Sequence, residues 1–255
     1  MPETNENEVP TTSQTTRKRN ERTEAKFYED VNKIIAEAES AATEYQPPNS
    51  IATAISIKAK RDASNGKRSL KQADDAAEEA ERNDRENLYK PMDKELTSLV
   101  AYAKSSGKME NQIAALESIA RKIKGTRAET IEENDGNRHI SVSNRAYVSR
   151  ADNYARFVEQ YDVLDIDTNE DFYKPETHRA KLAAYQMANE RVINAEAKAN
   201  GSQLEYDQIT YLDEDSLLNS CISSKAYFKS KYKTTRYKNI AKTRLEMPSR
   251  LRKKK

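Results

Sequence analysis

Two stretches of this sequence set residue types with binding chemistry at the spacings that chemistry requires. The first is Asp165-Ile166-Asp167-Thr168-Asn169-Glu170-Asp171-Phe172-Tyr173-Lys174-Pro175-Glu176. Counted as a twelve-residue loop, it puts oxygen donors at positions 1, 3, 5 and 7 (Asp165, Asp167, Asn169, Asp171), an apolar Phe172 at 8 and Glu176 at 12. That is the ligand order of a calcium-binding EF-hand, and it lies between two predicted helices. Two departures oppose this reading. Position 6 holds Glu170 where a sharp turn favours glycine, and position 11 holds Pro175. The competing reading is a solvated acidic connection whose aspartates cap helices.

The second stretch is basic. Residues 225–255 carry thirteen Lys or Arg against one acid, Glu246, a balance of +12; the whole chain is +2, which leaves −10 on the rest. Aromatic rings are interleaved with the cations at Tyr227, Phe228, Tyr232 and Tyr237. Lysine and arginine neutralise phosphates and aromatic rings stack on bases. A nucleic-acid site would therefore use Lys225, Lys229, Lys231, Lys233, Arg236, Tyr237 and Lys238. The alternative is that Tyr227, Phe228, Tyr237 and Ile240 are core residues of the last helix, with lysines on its wet face. A basic segment also docks on acidic protein surfaces, its own included.

Catalytic signatures are missing from the sequence. His139 and His178 are the only histidines and lie in different connections. The single cysteine, Cys221, sits among Leu217, Leu218 and Ile222, the setting of a small core residue. One cysteine excludes an internal disulfide and any zinc site built on several thiolates. No phosphate loop, dinucleotide fingerprint, His-Glu-x-x-His or Gly-x-Ser-x-Gly occurs. A di-metal helical bundle needs Glu-x-x-His pairs, and none is present. No enzyme activity and no cofactor are expected.

The elements that must hold these stretches are helical. Hydrophobic residues are 36%, charged residues 34%, and only five glycines and no tryptophan occur. Few glycines argue against sheets with tight hairpins and against doubly wound nucleotide folds. Apolar residues recur at helical spacing instead: Phe27, Val31, Ile34, Ile35 and Ala38; Leu96, Leu99, Val100 and Ala103; Ile113, Leu116, Ile119, Ala120 and Ile123; Tyr154, Phe157, Val158 and Tyr161. Pro47-Pro48, Pro91, Gly107 and Gly125 punctuate them, and further breaks are expected at Asn65-Gly66 and Gly201. No apolar run approaches the roughly 20 residues of a membrane span, and the polar N-terminal stretch lacks a secretion signal, so a cytoplasmic location without membrane association is expected.

Short motifs recur. Tyr45-x-Pro47 returns as Tyr173-x-Pro175, 128 residues later, and Ala101-Tyr102-Ala103-Lys104-Ser105 returns as Ala226-Tyr227-Phe228-Lys229-Ser230, 125 residues later. Similar order and offset in similar helical context point to an internal duplication. The second half, with Ile140-Ser141-Val142-Ser143, Tyr173-Lys174-Pro175, Lys225 to Ser230 and Tyr237-Lys238-Asn239-Ile240, resembles an uncharacterised family of duplicated all-helical proteins from Bacteroidota. The resemblance covers roughly residues 110–245, and more faintly 25–105. Lys231-Tyr232 stands where such proteins tend to carry glycine. It implies a duplicated helical fold and carries no activity.

These readings combine into an all-α chain of two tandem, diverged helical-bundle units. The boundaries are a disordered tail at 1–22, a unit at 23–125, a linker at 126–140, a unit at 141–245 and a basic tail at 246–255. The expected role is that of a non-catalytic, scaffold-like interaction protein, with a protein partner or self-association. A nucleic-acid-associated protein using 225–255 is the alternative.

Overall fold

The structure, a computed structural model, describes residues 12–125, 146–233 and 236–252, with side chains from Glu24 onward. Among these residues every regular element is helical. The α-helices are α1 Thr12–Ser40, α2 Ala54–Tyr89, α3 Met92–Ser105, α4 Glu110–Lys124, α5 Tyr147–Val163, α6 Pro175–Asp207, α7 Leu217–Lys231 and α8 Tyr237–Ile240. A π turn, Gln208–Leu212, follows α6. The all-α class expected from composition is the one adopted. The backbone of α1 begins at Thr12, inside the stretch assigned to a disordered tail. Residues 1–11 and the expected linker 126–140 lie outside the described residues.

Local chemistry explains most boundaries. Beyond α1, Ala42 adopts a left-handed φ of 46° and Pro47-Pro48 bars a helical continuation. The Asn49 side chain then accepts the Ile51 N–H at 3.1 Å, capping a short 3-10 turn, Ser50–Ala52. Thr53 Oγ1 accepts the Ser56 N–H at 3.2 Å and opens α2. Helix α4 ends on Gly125, whose φ of 67° lets its N–H reach the carbonyls of Arg121 and Lys122. The breaks expected at Gly66 and Gly201 do not occur. Both residues continue helices, and a Cβ on either would meet nothing within 4 Å. A glycine weakens a helix by roughly 1 kcal/mol, which is too little to interrupt one held by packing on both sides.

The chain divides into two compact units that do not follow chain order. The terminal unit, named by chain position, joins the described residues up to Ala73 with those from Asn200 onward; the central unit is Asp74–Ala199. This partition differs from the expected tandem of 23–125 and 141–245, because α2 and α6 each contribute one segment to each unit.

The core of the terminal unit gathers Val31, Ile34, Ile35 and Ala38 of α1, Ile57 of α2, Tyr206 of α6, and Leu217, Cys221 and Phe228 of α7. Tyr45, between α1 and α2, stacks on Phe228 with centroids 4.8 Å apart and meets Tyr227 edge-on. Its hydroxyl donates to the Ala52 carbonyl and accepts from Ser224 Oγ at 2.6 Å. The core of the central unit gathers Met92, Leu96, Leu99 and Ala103 of α3, Leu116, Ala120 and Ile123 of α4, Tyr154, Phe157 and Tyr161 of α5, and Tyr185 of α6. There Tyr173, between α5 and α6, stacks on Tyr102 at 3.8 Å with the rings 9° from parallel. In both units the Tyr-x-Pro corner from one half of the sequence therefore meets the Tyr-bearing helix from the other half.

Candidate functional site

The basic segment begins on α7, whose inner face is fixed by Leu217, Cys221, Ser224 and Phe228, all fully buried. Alternation around that face divides the predicted nucleic-acid residues into two groups. Lys225 turns inward, its amine donating to the carbonyls of Ala241 at 3.0 Å and Thr243 at 2.8 Å. Partial desolvation there pulls its pKa below the usual lysine value. Lys231 donates to the Glu44 carbonyl and to Tyr227 Oη, and its ammonium lies 5.3 Å from the Tyr232 ring centroid. Arg236 reaches Glu37 and Ser40 of α1. Tyr237 packs against the core. Lys229, Lys233 and Lys238 are exposed and have no hydrogen bond or ion pair among the described residues.

Beyond α8 the chain is not a loose tail. The buried Asp30 carboxylate accepts the Arg244 N–H at 2.9 Å, and Arg250 pairs with buried Asp207. Met247 and Leu251 pack on the apolar core. Within the basic tail expected at 246–255, Arg250 is thus docked on acids of α1 and α6 and Arg252 pairs with Glu246 of the same segment, and residues 253–255 lie outside the described residues. Charge composition was legible in the sequence; the pairing of each cation was not.

The structure does not bring the residues of the calcium reading together. Among the described residues no three His, Cys, Asp or Glu side chains are grouped to hold a metal ion. Asp165, Asp167, Asn169, Asp171 and Glu176 are all exposed and do not converge. Glu170 is extended, with φ −90° and ψ 115°, so the chain does not turn where a calcium loop must. The Asp171 carboxylate is taken by Lys174 at 2.6 Å, which holds it below the usual carboxylate range. Phe172 and Ile166 pack on the central core instead of flanking an ion.

His178 departs from the surface or capping role that its place near a helix start suggests. It is 1% exposed. Its Nε2 donates to the Phe172 carbonyl at 2.7 Å, so its Nδ1 accepts from Tyr154 Oη at 2.9 Å. Burial pulls its pKa down, and the ring is neutral. Sequence reasoning missed this core histidine because its polar neighbours hide the aromatic cage of Tyr154, Tyr161 and Phe172. Cys221 is buried as expected, its thiol pushed up to about 12 by desolvation. His139 lies outside the described residues.

The chain matches no family model, no curated protein and no solved structure. The resemblance to the Bacteroidota family therefore stands on its motifs alone. No described helix is long and apolar enough to cross a membrane.

Two open grooves are among the concave features of the described surface. One, of about 340 Å³, runs between α3 and α4 in the central unit. The other, of about 430 Å³, lies in the terminal unit between α7 and residues 243–246. Both have small or apolar floors and charged rims.

Proposed function

We propose that this protein is a non-catalytic, scaffold-like helical interaction protein built by internal duplication, with the two copies exchanging parts. Support for the duplication comes from buried positions. Tyr28, Val31, Ile34, Ile35, Ala38 and Ala41 are buried, and 123 residues later so are Ala151, Tyr154, Phe157, Val158, Tyr161 and Leu164. The left-handed residue after each helix, Ala42 and Asp165, has the same separation. Met92, Leu96, Leu99 and Ala103 correspond, 125 residues on, to Leu217, Cys221, Ser224 and Phe228. The two sets use the helical periodicity of a buried stripe, which one coincidence would give and two in order would not.

One observation carries the functional reading. Among the described residues, the side chains best suited to nucleophilic or acid–base work, His178 and Cys221, are spent inside cores, while the open grooves present apolar floors with charged rims. Size-exclusion light scattering over a range of concentrations, with crosslinking in solution, tests the interaction reading. Assembly that rises with concentration supports it. A monomer at every concentration that also captures no partner in stringent pull-downs removes it.

The exposed Lys229, Lys233 and Lys238 favour a second reading, association with nucleic acid. Replacing all three by Gln is then expected to lower the salt slope of binding to mixed duplex DNA by about 3, near 0.9 for each phosphate no longer neutralised. Absence of binding by the intact chain at low salt removes this reading.

A further inference from the structure

The two grooves lie on helix faces that correspond residue by residue. Helix α3 contributes Thr97, Val100, Ala101 and Lys104 to one groove. The residues 125 positions on, Ile222, Lys225, Ala226 and Lys229, are the four that α7 contributes to the other. Both sets have i, i+3, i+4, i+7 spacing, so each lines one side of its groove along two turns. The opposite walls are unrelated in sequence but alike in charge. In the central unit Lys104 pairs with the one acid, Glu117, beside Arg121 and Lys124. In the terminal unit Lys229 and Arg244 stand beside one acid, Glu246, while the Lys225 amine is turned to the carbonyls of Ala241 and Thr243.

We propose that these grooves are equivalent docking sites, one on each unit, for acidic amphipathic peptide segments of a partner protein. The inference rests on the interaction and duplication readings and names the partner chemistry. At each rim cations outnumber acids, which selects a carboxylate-bearing partner. A floor of alanine with Val100 in one groove and Ile222 and Leu245 in the other rewards apolar side chains, which nucleic-acid phosphates do not offer. The helical spacing of the wall matches a partner helix laid along it, its apolar face down and its acids at the rim.

The test uses the full chain and a labelled peptide of leucine and glutamate, with the leucines at helical spacing. Controls are a leucine–lysine peptide, a serine–glutamate peptide and oligouridine. Fluorescence anisotropy gives affinity and stoichiometry. Ala101→Glu and Ala226→Glu each place a carboxylate in one groove; both positions are exposed on helices, and circular dichroism confirms folding. The parent is expected to bind two equivalents. Each single variant is expected to weaken one site at least about tenfold, and the double variant to weaken both. The proposal is overturned if the double variant binds like the parent, if the parent ignores the peptide, or if any control binds as well. Light scattering on the same samples separates the two levels. A chain that assembles with itself but ignores the peptide loses the groove proposal and keeps the interaction reading.

Discussion

At the scale of single residues, burial decides what each chemical group does. His178 has the ring of a general base but sits between Tyr154 and the Phe172 carbonyl, with its pKa below 6.5. In the unfolded chain it takes up a proton below about 6.5, and in the folded chain it resists. The unfolded state then binds more protons, so the stability from this site is whole above 6.5 and is lost as pH falls from there through the folded value. Urea unfolding between pH 8 and pH 5 is expected to show this loss, and His178→Asn to flatten it. That variant also costs about 1–3 kcal/mol at pH 8, by leaving a buried partner unsatisfied. An equal slope in both proteins contradicts the assignment. Cys221, with its thiol near 12, is expected to resist a thiol-reactive dye in native buffer and to label fully in denaturant. Rapid native labelling contradicts its burial. The core place of Cys221 was legible from its leucine and isoleucine neighbours. That of His178 was not, because its cage comes from α5 and from Phe172 in the connection before α6.

Elements were the most legible level. The stripes Val31–Ile34–Ile35–Ala38 and Leu96–Leu99–Ala103 mark helices whatever their partners, since 3.6-residue periodicity is a property of the segment alone. The errors fell where local signals compete with packing. Asn65-Gly66 reads as a break, yet α2 passes through it because Ile57 and Ser64 are anchored in the terminal core. Likewise the acidic run 165–176 has the residue order of a calcium loop, yet its backbone is extended at Glu170 and its carboxylates are not grouped. Gly66→Ala and Gly201→Ala are each expected to stabilise by about 0.5–1 kcal/mol, since neither site has a positive φ or a steric reason for glycine. Urea midpoints that fall on either substitution contradict continuous helices at these positions.

For the whole molecule, the sequence supplied the repeated motifs but not their pairing. Periodicity says which face is buried and is silent on the partner. Tyr45 and Tyr102 could each have met the helix or corner of its own half. Instead Tyr45 stacks on Phe228, and Tyr173 on Tyr102. Each unit combines helices from both halves of the chain, which on the duplication we propose is an exchange between copies. Its most direct measurement is cleavage of the folded chain at a protease site introduced between Gly125 and Ala146, followed by light scattering of the products in native buffer. Exchange predicts that the two fragments stay together at the mass of the intact chain and part only in denaturant. Two separate folded fragments in native buffer would show a simple tandem and contradict the account.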